Sequence, residues 1–240
     1  MREFQTDIST PEGVMDCFVC HPDSEPRPAM IFYMDVPGVR EELREMCRHV
    51  AAQGYVAILP DLYYHKGKVR FDLSKGEDEL KKMFAMGSEL TVDILVRDTE
   101  DIINYCREKP FIAEKIGCVA YCMSIQLVVA AAGMFPEDIK AAASLYGVRI
   151  VTDAPDSPHL LADQIQAELY LGFAAHDPFV EDNVIPDPNN ALDKHGVSYT
   201  LDAHEGTEHG FCFKERPAYH QAAAEKVWDT LFHLYDRALR

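Results

Sequence analysis

The chain alternates short apolar runs with longer segments of helical period, and this alternation limits the folds that it can adopt. The apolar runs, rich in β-branched and aromatic residues, occur at 14–20, 29–34, 55–59, 116–120, 141–145, 169–173 and 197–201. The central runs are nearly continuous, which is typical of strands buried on both faces. Such strands form sheets covered by helices on both sides. We therefore predict an α/β fold with a mostly parallel central sheet.

Helical segments are predicted between and after these strands, at residues 41–52, 92–107, 122–134, 189–195 and 218–239. In the first segment Leu43, Cys47 and Val50 share one apolar stripe, as a helix packed on a sheet requires. Gly54 follows that helix, where a left-handed cap is easiest without a Cβ atom. The alternation of strand and helix thus extends along most of the chain.

The composition suits one globular domain. With 240 residues, of which 48% are apolar, we predict a single domain over residues 1–240. The polar segment 63–88 is predicted to be a lid-like excursion made of a loop and a short helix. The 40 acidic and 23 basic residues give a net charge of -17, which repels phosphate backbones and anionic membranes. Neither a nucleic acid nor a membrane is therefore expected as a partner.

Several features favour a cytoplasmic protein. The first residues carry acids where a secretory signal needs an apolar core, and the longest apolar stretch, 127–135, is too short to cross a bilayer. The seven cysteines, an odd number, fit a reducing compartment. Cys17, Cys20 and His21 could suggest zinc, but the chain has no second ligand pair at similar spacing, so packing within a strand is favoured. No metal or organic cofactor is expected, and the oligomeric state stays open.

The segment 116–127 carries the most informative motif. A buried strand leads directly into a helix, and the tight turn forces Cys122 at its tip into a strained backbone conformation. Ala120 and Ser124, two residues to either side, are small, which is the pattern of a nucleophile elbow. A thiol at a helix N-terminus is favoured as the thiolate. The alternative is a cysteine buried at an ordinary strand–helix junction.

Two further residues follow predicted strands in the order that such an elbow requires. Asp177 lies beyond the strand 169–173, and His209 lies in a polar loop beyond the strand 197–201. Nucleophile, acid and histidine occur in this order in α/β-hydrolases, and ligands bind beyond the carboxyl ends of strands in open α/β sheets. Cys122, Asp177 and His209 are therefore predicted to form a catalytic triad.

With these motifs the chain resembles the dienelactone hydrolase family of α/β-hydrolases from about Val14 to the last helix. The matching blocks are Met34–Arg40, Leu59–Tyr63, Tyr121–Met123, Leu145–Gly147, Asp177–Val180 and His209–Phe211. The resemblance implies that the backbone N–H groups of Val36 and Met123 form an oxyanion hole. It also implies that Asp35 lies beside Cys122 and modulates its thiol.

The chain departs from the family pattern at a few positions. Family elbows usually carry glycine where this chain has Ala120, Ser124 and Ile125, and the acid beside the thiol is usually glutamate. Dienelactone-specific members have an arginine four residues after the histidine, where this chain has Phe213. This replacement predicts a preference for neutral or weakly polar acyl compounds over carboxylated lactones. Lys214 and Arg216 lie close by in the sequence but need not face the pocket.

We therefore predict a hydrolase that acts on a small ester, lactone or related acyl compound through a covalent acyl-thioester on Cys122. Aromatic side chains are expected to line the substrate pocket, although several could instead belong to the core: Tyr63, Tyr64, Tyr146, Phe179 and Phe211. Two alternatives stay open. One is a non-catalytic small-molecule binding protein on the same fold, and the other is a thiol redox sensor.

Overall fold

The computed structural model describes residues 1–23, 25–122, 125–147, 157–179 and 189–240. The chain divides into two compact units, residues 1–116 and residues 117–240. Each unit contains strands of a sheet together with helices, in agreement with the predicted α/β class. That residues 1–240 act as one domain remains a prediction.

The strands of the first unit are β1 (Arg2–Thr10), β2 (Gly13–His21), β3 (Arg27–Phe32), β4 (Val56–Pro60) and the beginning of β5 (Ile112–Tyr121). The complete strands lie in the order β1-β2-β4-β3. Strand β1 pairs antiparallel with β2, β2 pairs antiparallel with β4, and β3 runs parallel to β4. Every residue of β4 is buried, as its continuous apolar sequence predicts.

Three helices belong to the first unit: α1 (Glu41–Ala52), α2 (Glu77–Ser88) and α3 (Val92–Glu108). Helix α1 has the predicted bounds, and its apolar stripe, including Leu43 and Val50, is buried. Gly54 has φ +91°, and its N–H donates to the carbonyl of Ala51, as a left-handed cap requires.

The predicted excursion 63–88 contains two short 3₁₀ turns, Tyr64–Lys66 and Leu73–Lys75, followed by α2. Only Met83 of α2 is buried among the residues whose side chains are described. The segment therefore consists of turns and one helix. Its movement as a lid remains a prediction.

The second unit holds the end of β5 and three further strands in the order β5-β6-β7-β8. These strands are β6 (Ile139–Leu145), β7 (Glu168–His176) and β8 (Tyr199–Glu208), and both β6 with β7 and β7 with β8 are parallel pairs. The helices are α4 (Ile125–Met134), α5 (Asn189–Lys194) and α6 (Gln221–Leu239), and a 3₁₀ segment spans Pro158–Gln164.

Strand β8 is longer than the sequence predicted. The segment 204–208 was expected to be a polar loop, but it continues the strand, because β7 pairs with it as far as His176 opposite Glu208. Its polar residues are accommodated by exposure or by hydrogen bonds. The buried His204 ring, for example, lies 3.0 Å from the hydroxyl of Tyr170. His209 therefore follows the strand directly.

Some sequence predictions lie outside the described residues, namely those for Met123, Ser124 and Val180. In the part of the chain that is described, no helix is both long enough and apolar enough to cross a bilayer. The same described part contains no group of three or more side chains arranged to hold a metal ion. Cys17 and Cys20 are buried within β2.

Candidate active site

Cys122 stands directly after β5, at the predicted elbow. Its φ is +58°, in the left-handed region that non-glycine residues rarely adopt. Such a conformation costs roughly 1–2 kcal/mol for an L-residue and is typical of functional sites. Ala120, two residues earlier, has no exposed surface. The expected strain at Cys122 is thus confirmed.

Cys122 also differs from the other six cysteines, because it is half-buried while all of them are buried. Burial raises the pKa of the thiols of Cys17, Cys118 and Cys212, which keeps them protonated. A redox sensor would need a second accessible thiol as a partner for Cys122, and the thiols of the other six cysteines are all buried. The distribution of cysteines therefore favours Cys122 as the reactive thiol.

The sheet places Asp177 beside His209. His176 and Glu208 are register partners at the ends of β7 and β8, so the residues that follow them emerge side by side. The Nδ1–H group of His209 donates to Asp177 Oδ2 over 2.7 Å. Both side chains are nearly buried, with exposed fractions of 7% and 6%. This pair has the geometry with which a carboxylate fixes the tautomer of a general base.

Two aromatic rings contact the imidazole of His209 edge-on. The centroid of Tyr146 lies 5.1 Å away and that of Phe179 lies 4.8 Å away. Tyr146 is itself held in a left-handed conformation, with φ +45°, and its N–H donates to the carbonyl of Gly172. Within the described residues, the buried Nε2 of His209 has no hydrogen-bond partner. With Nδ1 bound to Asp177, Nε2 is the atom that could accept a proton.

An open cavity of about 510 Å³ adjoins this pair. It is lined by His176, Asp177, Pro178, Phe179, Glu208, His209 and Arg216. Its volume is within the range of small-molecule sites, and Phe179, 51% exposed, supplies an accessible apolar surface.

Arg216 is a wall residue of the cavity that sequence reasoning did not assign. Its guanidinium lies 4.5 Å from the ring centroid of Phe213, the residue that occupies the family's arginine position. Gly210 has φ +88°, and a Cβ atom there would approach Arg216 Nη1 to 2.7 Å. The glycine after the histidine thus lets the arginine approach the backbone. The sequence shows that Arg216 is near Phe213 in the chain, but not that it faces the cavity.

Asp35, the predicted modulator of the thiol, belongs to the first unit and has no exposed surface. Arg40 Nη1 lies 2.5 Å from Asp35 Oδ1, and Arg40 Nη2 lies 2.9 Å from Glu42 Oε2. The charge of Asp35 is therefore partly compensated within its own unit. The position of Asp35 beside the thiol remains a prediction.

The aromatic residues that were expected to line the pocket differ in their surroundings. Tyr63, Tyr146 and Phe211 have no exposed surface, which agrees with the alternative that several of these rings belong to the core. Tyr63 donates its hydroxyl to the carbonyl of Val36 over 2.8 Å, and Tyr64 donates to Asp98 over 2.9 Å. Of the five, only Phe179 lines the cavity described above.

Comparison with known proteins identifies the family. The model of the dienelactone hydrolase family matches residues 15–239. The chain belongs to the dienelactone hydrolase family. A Synechocystis sp. member named as a carboxymethylenebutenolidase is 26% identical over 217 residues, covering 89% of this chain and 87% of the relative. "Protein usf" of Aquifex pyrophilus is 26% identical over 188 residues, covering 78% of this chain and 77% of the relative.

Solved structures of dienelactone hydrolases share the fold along the whole chain. One from Klebsiella pneumoniae superimposes with a TM-score of 0.86 at 21% identity and covers 98% of both chains. A dienelactone hydrolase from Anabaena variabilis gives a TM-score of 0.71 at 16% identity, covering 100% of this chain and 99% of the other. The predicted α/β-hydrolase fold is therefore confirmed, and the family supports a hydrolase of small lactones or esters.

Proposed function

We propose that the protein hydrolyses a small ester or lactone through a Cys122–His209–Asp177 triad and a covalent acyl-thioester. The observation that carries this proposal is the 2.7 Å contact between His209 and Asp177, beside a cavity and in the same unit as the strained Cys122. Family membership supports the reaction class but does not identify the nucleophile.

In the first half of the reaction, His209 Nε2 takes the proton of the Cys122 thiol while Nδ1–H stays bonded to Asp177. The thiolate attacks the acyl carbonyl carbon and forms a C–S bond. The negative charge on the oxygen is stabilised by the N–H groups of Val36 and Met123. The C–O bond then breaks, and His209 returns the proton to the departing alkoxide.

The second half hydrolyses the thioester. His209 Nε2 takes a proton from water, and the resulting hydroxide attacks the thioester carbonyl. The C–S bond breaks, the thiolate of Cys122 recovers the proton from His209, and the carboxylic acid leaves. For a lactone, the alcohol and the acid are parts of one released hydroxy acid. The chemistry requires only the acyl compound and water.

Asp35 is proposed to lie beside Cys122 and to oppose ionisation of the thiol by like-charge repulsion. A lone carboxylate at contact distance near a protein surface contributes on the order of 4 kcal/mol before screening. The ion pair with Arg40 reduces this repulsion, because a nearby cation compensates much of the charge. Asp35→Asn should therefore accelerate alkylation of Cys122 by iodoacetamide only modestly, and unchanged or slower alkylation would contradict the restraint.

Turnover of a p-nitrophenyl ester by the native protein and by two variants tests the proposed reaction. Cys122→Ala should abolish saturable hydrolysis, because the nucleophile is lost. Ser124→Ala should retain hydrolysis, because only the tip residue of an elbow points into the pocket. Activity that survives in Cys122→Ala but is lost in a folded Ser124→Ala would overturn the nucleophile assignment. Binding of the ester without turnover by the native protein would favour the non-catalytic alternative.

A further inference from the structure

Three successive backbone carbonyl groups in the turn that follows β3 accept hydrogen bonds from different parts of the chain. The carbonyl of Asp35 accepts from Gly38 N–H over 3.0 Å, and that of Pro37 accepts from Phe71 N–H over 3.1 Å. Between them, the carbonyl of Val36 accepts from the hydroxyl of Tyr63 over 2.8 Å. Of these three hydrogen bonds, the one to Val36 comes from a side chain.

These bonds determine the direction of the Val36 N–H group. A peptide unit is planar, so Val36 N–H points opposite to the carbonyl of Asp35, which Gly38 holds. The peptide unit on the other side of Val36 is held by Tyr63 through the Val36 carbonyl. Rotation at Val36 is thus restrained at both ends, and the Tyr63 hydroxyl supplies one of the two restraints.

Tyr63 is itself rigidly placed. Its side chain has no exposed surface, and its N–H donates to Asp61 Oδ1 over 3.2 Å. The Asp61 side chain, only 3% exposed, forms an ion pair with Arg70, whose Nη2 lies 2.9 Å from Asp61 Oδ2. The ring of Tyr63 also contacts that of Phe71 edge-on, with centroids 6.4 Å apart. A hydroxyl anchored in this way can hold a backbone carbonyl in one orientation.

We propose that Tyr63 is a positioning residue, whose hydroxyl orients the Val36 N–H group as an oxyanion donor, rather than a residue that lines the substrate pocket. The inference rests on the proposed function, which assigns the donor role to Val36. An oxyanion donor acts only when it points at the charge that develops in the transition state. Tyr63 therefore affects the transition state through Val36 and does not contact substrate.

Tyr63→Phe removes this hydroxyl and preserves the ring. Loss of an oxyanion donor lowers kcat about 100- to 1000-fold, and a loosened donor should lower it about 10- to 100-fold. KM for a p-nitrophenyl ester should stay nearly constant, and affinity for a trifluoromethyl ketone, which forms a tetrahedral adduct, should fall by the same factor as kcat. The pH of half-maximal activity should not move, because His209 and Asp177 are untouched.

Tyr235→Phe is the matched control, since the Tyr235 hydroxyl is also buried and donates to a backbone carbonyl, that of Cys118, over 3.2 Å. Both variants should lose similar thermal stability, but only Tyr63→Phe should lose kcat. Equal kcat in Tyr63→Phe and the native protein, or equal losses in both variants, would overturn the positioning role. Failure of the proposed function is distinguishable, because it would appear as full hydrolysis by Cys122→Ala.

Discussion

Replacing Asp98 with asparagine should stabilise the protein at neutral pH and change its stability little near pH 4. Asp98, on α3, is only 3% exposed. One carboxylate oxygen accepts from Tyr64 over 2.9 Å, and the other has no hydrogen-bond partner among the described residues. Burial, helped by the charges of Glu12 and Asp101, raises the pKa of Asp98 to about 6, although the hydrogen bond from Tyr64 lowers it.

The sign of the effect follows from proton linkage. The pKa is raised from 3.8 to about 6 on folding, so the folded state binds more protons than the unfolded state between these values. The contribution of Asp98 to the free energy of unfolding is therefore fully present below about pH 4, and it is lost as the pH rises through about 6. The difference corresponds to about 3 kcal/mol, because one pKa unit is worth about 1.4 kcal/mol.

Asparagine resembles the neutral acid in shape and can still accept the bond from Tyr64, so Asp98→Asn removes the cost of the charge. Urea unfolding between about pH 4 and pH 8 should show a stability gain that increases with pH toward about 3 kcal/mol. Asp93→Asn, at an exposed position of the same helix, is the control and should show no such increase. A gain that is independent of pH, or a loss at neutral pH, would show that the buried charge of Asp98 does not lower the stability.

Three further substitutions test the site. Asp177→Asn should lower kcat/KM for a p-nitrophenyl ester roughly 10²- to 10⁴-fold, because the imidazole loses its fixed tautomer; a normal rate in the folded variant would contradict the pair's role. If Arg216 in the cavity wall pairs with a substrate carboxylate in place of the arginine missing at Phe213, Arg216→Met should lower the ratio of kcat/KM for a carboxylated over a neutral lactone by roughly 10- to 150-fold, whereas Lys214→Met, outside the residues that line the cavity, should leave that ratio unchanged. Gly210→Ala should lower the unfolding free energy by more than Gly206→Ala, in thermal or urea unfolding. Both positions have positive φ, but only the Cβ at Gly210 would also meet Arg216, and equal losses would count against that contact.

The secondary structure was predictable where burial produces a pattern in the sequence. Helix α1 has the predicted bounds because its apolar stripe and the following Gly54 mark it clearly. Strand β1 was missed, since most of its residues are exposed and it carries no apolar run. The end of β8 was missed for a related reason. Its polar residues resemble a loop, and only pairing with β7 makes them a strand.

The site was predictable in its residue types and chain order but not in its tertiary contacts. An elbow sequence and two polar residues after strands were enough to predict strain at Cys122 and the pairing of Asp177 with His209. The burial of Tyr63 and its bond to Val36 depend on how two loops meet, which sequence spacing does not encode. The same holds for Arg216, whose place beside the cavity follows from the backbone at Gly210.

The most direct test of the proposed mechanism is to trap the acyl-enzyme. The native protein would be mixed with p-nitrophenyl acetate, quenched in acid within the first turnovers, digested and examined by mass spectrometry. His209→Ala would be treated in parallel, since water attack on the thioester should be slowed without its base. We expect one acetyl group on the peptide that contains Cys122, labile to hydroxylamine. Acetylation of another residue during productive turnover, with Cys122 unmodified, would contradict the assignment of Cys122 as the nucleophile.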